Sequence, residues 1–210
     1  NFAAGASRGR FIQIRGIGER SQFAEPINPS VSFIVDEFDF SGLAASGIIF
    51  DTKQLEVYRG PQATLYGTGA LAGAVKLSSN ETGSEAPDYV EARIGNKDSY
   101  RVEAATGDDI NSNWGYRVAL VHNRSDGFVE NTFLNRDDTN NIDETALRFA
   151  IDGNVADNST LALAYRWYDI DNGYDAFSLD NDNRTLSDEP GFDEHQTHAV
   201  SARSTTTTGA

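Results

Sequence analysis

Residues 84–210 alternate large apolar side chains with polar or small ones, at a period of two, run after run. Tyr100, Val102 and Ala104 oppose Ser99, Arg101 and Glu103. Trp114, Tyr116, Val118 and Leu120 oppose Gly115, Arg117, Ala119 and Val121. Leu147, Phe149 and Ile151 oppose Ala146, Arg148 and Ala150; Leu161, Leu163, Tyr165 and Trp167 oppose Ala162, Ala164, Arg166 and Tyr168. Residues 89–95 behave alike, and 198–202 form a weaker sixth run. Successive side chains of a strand point to opposite faces, so each run predicts a strand with one apolar face. Arg93, Arg101, Arg117, Arg148 and Arg166 all fall on the other face. A soluble sandwich turns the apolar face inward. A membrane barrel turns it to lipid and keeps the polar face for the lumen. Alternation alone does not separate the two. Trp114 and Tyr116 open one strand and Tyr165 and Trp167 close another, as in an interfacial girdle, which leaves sandwich and barrel evenly matched on the residues alone.

Connection lengths give a second check, and they alternate as a barrel requires if 96–98 is a short hairpin at the long-loop rim. Residues 96–98, 107–113 and 154–158 are short connections, whereas 124–144 and 170–194 are long. Outer-membrane barrels have short turns at one rim and long loops at the other. The chain carries a net charge of −15, unevenly spread. Residues 1–83 hold 7 Lys+Arg and 8 Asp+Glu; residues 84–210 hold 10 and 24. Such acidity argues against nucleic acid as a partner. No run of eighteen apolar residues exists to make a transmembrane helix. Cysteine is absent, which excludes disulfides, thiolate metal sites and a cysteine nucleophile. Methionine is absent too and the chain starts on Asn1, so it reads as an internal piece of a longer protein.

Residues 1–83 read differently. Short apolar runs at 11–14, 31–35, 55–58 and 74–77 alternate with Gly and Pro turn signals, with helix or loop expected over 42–54 and 61–72. This predicts a small α+β domain. The glycines Gly67, Gly69 and Gly73 do not make a dinucleotide site, because a strand-like run follows them where a helix is needed.

The run from Leu55 to Gly67 (Leu-Glu-Val-Tyr-Arg-Gly-Pro-Gln-Ala-Thr-Leu-Tyr-Gly), continued by Ala70-Leu-Ala-Gly-Ala-Val75, resembles the signature of the plug domain of TonB-dependent outer-membrane receptors. Ile14-Arg15-Gly16 resembles the family's Ile-Arg-Gly motif. Pro29-Ser30-Val31 through Val35-Asp36 resembles its Pro-Ser-Val…Val-Asp-Gly segment. Glu37 stands where the family usually has Gly, and Thr68-Gly69 where Arg-Asn is common. The resemblance covers roughly residues 12–79. It implies a plug domain over 1–83, followed over 84–210 by about six antiparallel strands of a 22-stranded transmembrane β-barrel, here incomplete. It marks Gly16, Gly60, Pro61, Tyr66, Gly67 and Gly73 as the plug signature turn.

A guanidinium at a strand end, then a residue free to take positive φ, then a rigid turn is the physical content of Arg59-Gly60-Pro61. A buried arginine needs carboxylate partners. Arg15, Arg59 and Glu56 are therefore candidates for a charge cluster, with ordinary exposed arginine as the alternative. The resemblance implies that such plug arginines meet acids on the barrel wall and hold plug to wall until force rearranges them. It also implies energised uptake of a scarce, bulky nutrient across the outer membrane of a Gram-negative bacterium. Iron–siderophore is the commonest substrate class, then haem, cobalamin and carbohydrate. The expected partners are TonB with its inner-membrane energising complex, outer-membrane lipid and the small-molecule substrate. No resident cofactor is expected, a metal chelate entering only as substrate. Plausible ligand contacts lie in the apical segments 19–30 and 40–50, at Arg20, Phe23, Asn28, Phe40 and Phe50, with 124–144 and 170–194 as barrel loops.

Other readings rest on less. Residues 169–194 carry nine Asp/Glu against Arg184, and Asp180-Asn181-Asp182-Asn183 offers hard oxygen ligands for Ca²⁺. The spacing lacks the glycine and distal glutamate of an EF-hand, so a solvated loop is the simpler expectation. His195 and His198 would point to opposite faces of a strand, and His122 stands alone. No catalytic constellation meets the geometry an enzyme needs. An outer-membrane binding or adhesion protein without transport, or a soluble acidic Ca²⁺-binding β-domain, are the alternatives.

Overall fold

The computed structural model describes residues 2–3, 7–19, 29–43, 48–175, 177–180 and 182–208. The chain divides into two units, Asn1–Ser79 and Asn80–Ala210. In the first, β1 (Phe2–Ala3) pairs with β2 (Phe11–Ile12), and a four-stranded sheet is built from β3 (Val31–Val35), β4 (Phe38–Asp39), β5 (Thr52–Arg59) and β6 (Gly73–Ser79). Its order is β4-β3-β6-β5, with β3 and β6 parallel and the outer pairs antiparallel. A single turn of helix, α1 (Ala63–Tyr66), sits in the β5–β6 connection. Every residue of β3 is buried, as an inner strand covered on both faces requires. The turn from β3 to β4 explains the Glu37 departure. The left-handed position there is Asp36, at φ 54°, so no glycine is needed at Glu37.

The second unit is one antiparallel sheet. Its strands are β7 (Tyr89–Ile94), β8 (Tyr100–Asn111), β9 (Trp114–Ser125), β11 (Ile142–Ala156), β12 (Ser159–Tyr174) and β14 (Gly191–Thr206). The order β14-β12-β11-β9-β8-β7 follows the chain, as in an up-and-down barrel wall. Two short strands, β10 (Glu130–Asn131) and β13 (Arg184–Thr185), lie in the long connections and pair with each other. All six alternating runs are strands. They are longer than the apolar pattern: β12 and β14 have 16 residues each, where about 9–11 span a bilayer. Residues 169–174 and 191–194, expected in a loop, are therefore strand. Their acidic side chains carry no apolar contrast, so periodicity could not find them. Residues 80–88 belong with this unit: the Gly83 amide donates to Tyr116 O at 3.1 Å and Asp88 Oδ1 accepts from the Gly107 amide at 2.9 Å.

The faces resolve what alternation left open. Arg117, Arg148 and Arg166 are 0%, 6% and 1% exposed, while Val102, Leu120 and Leu163 on the other face are 40–45% exposed. This is inside-out for a soluble sandwich and right for a wall facing lipid. Register gives the apolar band two aromatic edges. Trp167 lies level with Leu147 and Leu120, and Trp114 lies level with Gly153 and Leu161. Six residues separate the two levels along β9, roughly 20 Å at strand rise. Gly153 matters here: a Cβ on it would come within 2.5 Å of the Trp114 ring, which lies across it. Beyond Trp167 the outward positions turn polar, at His122, Thr145, Asp169 and Gln196.

Phe149→Arg in the full-length protein is expected to cost about 2–4 kcal/mol of folding into lipid, as arginine does on a barrel's lipid face near the midplane. The measurement is the urea midpoint of protein refolded in vesicles, and an unchanged midpoint would mean that this face is not in hydrocarbon.

Candidate functional site

The signature run folds as a tight knot on the sheet of the first unit. After β5 the chain turns at Gly60, whose amide donates to Ala72 O at 3.0 Å, and the Gln62 amide donates to Ala70 O at 2.8 Å. The short helix α1 closes with the Gly67 amide on Ala63 O at 3.0 Å. The chain returns through Ala70 to β6, where the Ala72 amide donates to Ser30 O at 2.8 Å. Gly16, Gly60, Gly67 and Gly73 all have positive φ, at 79°, 101°, 80° and 156°. Gly73 has two reasons to be glycine. A Cβ there would stand 2.3 Å from Tyr58 O and 2.6 Å from Ile14 Cδ1. Because α1 precedes Gly67 and Gly69, and Gly73 opens strand β6, the order is the reverse of a dinucleotide loop.

Tyr58 and Tyr66 clamp the knot. Their rings lie 5.6 Å apart at 47° and pack on the buried trio Ile34, Ala70 and Ala74. The Tyr58 hydroxyl donates to Glu56 Oε1 at 3.0 Å. Hydrogen bonding with Tyr66 first, then with the Glu56 carboxylate, pushes the Tyr58 phenol up to about 12. Nearby, Ile14 and Ile17 exchange backbone bonds of 2.9 and 3.0 Å around Arg15 and Gly16.

The three residues expected in a charge cluster are placed as follows. Arg59 pairs across the ladder with Gly73, and Glu56 with Lys76. Arg15 sits on the turn whose Ile14 abuts Gly73. Arg15 and Arg59 are exposed, and among the described residues neither makes an ion pair. Phe40 and Phe50 correct the list of ligand contacts. They are 2% and 4% exposed, core side chains that no ligand can reach, as their apolar bulk favours. Arg20, Phe23 and Asn28 lie outside the described residues.

The polar face of the six-stranded sheet carries the larger charge assembly. Arg101 Nη2 lies 2.8 Å from Glu103 Oε2, and the Tyr89 hydroxyl donates to the same carboxylate. Arg117 donates to Ala86 O at 3.3 Å and Pro87 O at 3.2 Å. Glu144 accepts from Asn172 Nδ2 at 2.8 Å and from Asn123 Nδ2 at 3.4 Å. Arg148 and Arg166 are register neighbours, and Arg166 also donates to the Tyr168 hydroxyl at 3.3 Å. Glu103, Glu144 and Asp193 are buried here. The sequence placed the arginines on this face. It did not mark these acids, which become a group only when separate strands align.

His198 faces outward, 2.9 Å from the Tyr165 hydroxyl, whereas His195 lies on the polar face near Asp193. His122 Nδ1 lies 3.0 Å from Thr145 Oγ1. In the acidic loop Asp182 Oδ1 accepts from Ser178 Oγ at 2.9 Å and from the Arg184 amide at 3.0 Å. Among the described residues no three His, Asp or Glu stand close enough to share a metal ion.

A small α+β domain with this glycine knot, followed by a sheet turned apolar side out, has the architecture of a plug followed by a barrel wall. Residues 2–74 match the family model of the TonB-dependent Receptor Plug Domain. The chain is 29% identical over 128 residues to the pesticin receptors of Yersinia enterocolitica and Yersinia pestis, a match covering 60% of this chain and 19% of theirs. The fold matches the ferric yersiniabactin uptake receptor FyuA from Yersinia pestis with a TM-score of 0.82 at 20% identity, over 99% of this chain and 34% of that one. It also matches the ferripyoverdine receptor of the outer membrane of Pseudomonas aeruginosa, with a TM-score of 0.60 at 16% identity, over 82% of this chain and 25% of that one. The chain thus spans about a fifth of the length of the curated relatives it matches.

Gly73→Val is expected to destabilise the plug by about 2–4 kcal/mol through the blocked approach and the strained φ. Limited proteolysis of the full-length receptor should then cut within residues 55–79, and protection equal to the parent's would disprove the packing described. The Tyr58 clamp is fully present below the ordinary phenol value of about 10. It is lost as pH rises through about 12. An alkaline absorbance titration of the receptor minus that of Tyr58→Phe isolates this phenol. Tyr66→Phe should move it toward its ordinary value.

Proposed function

We propose that this chain is the plug and first barrel strands of a receptor that takes up a ferric siderophore by TonB-coupled transport. The observation that carries the reading is likeness to a receptor named for ferric yersiniabactin uptake across 99% of the chain. The match to pesticin receptors supports the same receptor class by sequence. The substrate enters as an iron chelate bound from outside, against the apical segments and the long loops. TonB and its inner-membrane complex supply the work. The relatives are receptors, and the reading assigns no chemical reaction to the chain.

Arg15 and Arg59 are the coupling residues in this reading; Glu56 instead accepts the Tyr58 hydroxyl. Arg15 sits in the Ile14–Ile17 turn and Arg59 ends strand β5, and both are exposed. An arginine presented this way is available to carboxylates of a barrel wall, and a paired charge that must part under force makes a switch. Arg59→Ala in the full-length receptor should cut uptake of ⁵⁵Fe-labelled siderophore severalfold while leaving equilibrium binding nearly unchanged. Unaltered uptake would refute the coupling role. A second use of the same outer surface, in this reading, is binding of a pesticin-like or pyocin-like partner. One relative is named a pesticin receptor, and a receptor of similar fold is solved as the FpvAI–pyocin S2 complex.

A further inference from the structure

The two long loops of the strand unit are joined. β10 and β13 pair in parallel, Glu130 beside Arg184 and Asn131 beside Thr185. The Glu130 amide donates to Asn183 O at 2.9 Å and the Thr132 amide to Thr185 O at 3.0 Å. Against this pair lies one carboxylate oxygen, Asp175 Oδ2. It accepts three hydrogen bonds, each of 2.8 Å, from Asn131 Nδ2, Thr139 Oγ1 and Thr185 Oγ1. One oxygen therefore ties two points of loop 126–141 to a point of loop 182–190. Asp175, Asn131, Thr139 and Thr185 are all at most 4% exposed. A carboxylate this far from water is tolerated only where donors replace its hydration. Asn131 is engaged on every side. Its Nδ2 also donates to Ser187 O at 2.8 Å, its Oδ1 accepts from the Leu134 amide at 2.9 Å, and its backbone exchanges bonds with Arg136. Surface loops ordinarily leave such groups to solvent.

We propose that loops 126–141 and 182–190 work as one preformed plate at the outer rim, and that Asp175 is the residue that positions it. The plate presents Phe128, Phe133 and Leu186, each exposed, drawn from both loops. A plate already ordered spares an incoming ligand the entropy of fixing two separate loops. The part concerning ligand capture rests on the receptor reading; the joining of the loops rests on their own geometry.

The test uses the full-length receptor in outer membranes. With any cysteine elsewhere in the receptor replaced, Glu130→Cys/Arg184→Cys introduces a defined pair on adjacent parallel strands, within disulfide reach. The disulfide should form on oxidation and leave ferric-siderophore binding and uptake equal to those of the reduced protein. Asp175→Ala should lower the linkage yield, open both loops to protease and weaken binding severalfold, with the amount of folded barrel unchanged. Asp175→Asn keeps an acceptor oxygen and should retain linkage and protection. Failure of the disulfide to form, or Asp175→Ala with parental linkage and protease resistance, overturns the plate. A linkage that abolishes uptake until reductant restores it also overturns it, because the loops must then part. Linkage and protection that hold while no chelate is taken up in either redox state would support the plate and sink the receptor reading.

Discussion

A strand in hydrocarbon has no water for its amides, so every backbone group must be paired by a neighbouring strand. The ladder from β7 to β14 is the constraint on which the second unit depends. Once the strands are fixed edge to edge, each side chain has only two places to go. Large apolar groups face out between two aromatic levels. Arginines, carboxylates and small residues face the other way, where burial forces them into pairs with each other and with backbone carbonyls. The buried charges are a consequence of the same decision that exposes Leu120 and Leu163.

The first unit solves a different problem. Its sheet is small, and the chain must reverse within a few residues between β5 and β6. Glycines at positive φ make the reversal, and Gly73 admits the Tyr58 carbonyl and the Ile14 side chain into the space a Cβ would take. Tyr58 and Tyr66 then cover the small buried patch of Ile34, Ala70 and Ala74. Arg15 and Arg59 are left exposed on rigid supports. Exposure on a rigid support is what a reversible contact needs, since neither partner loses stability of its own fold when the contact opens.

The contrast between apolar belt and outer loops shows where sequence patterning stops. All six sheet strands were legible over their membrane portion, because lipid on one side and a polar lumen on the other force strict alternation. The same strands run on past Trp167 into residues such as Asp169, Asp171 and Glu194, where both faces are polar and the alternation vanishes. Hydrogen bonding to the neighbour continues all the same. Loop residues were harder still. β10 and β13 are two residues each, and Asp175 looked like one acid among nine. Phe40 and Phe50 failed in the opposite direction, since an aromatic in an apical segment looks the same whether it meets a ligand or fills a core.

The sequence by itself determined the plug, through a contiguous glycine and proline punctuation that permits few backbones, and the period of the strands, through the two-sided environment of a wall. Tertiary structure decided which face is inside, because alternation is symmetric under exchange of faces and only packing breaks that symmetry. It also decided the partners. Glu144 meets Asn172 across 28 positions, and Asp175 meets Asn131 across 44. Such contacts arise from register and loop closure, which bring together residues that no local pattern connects.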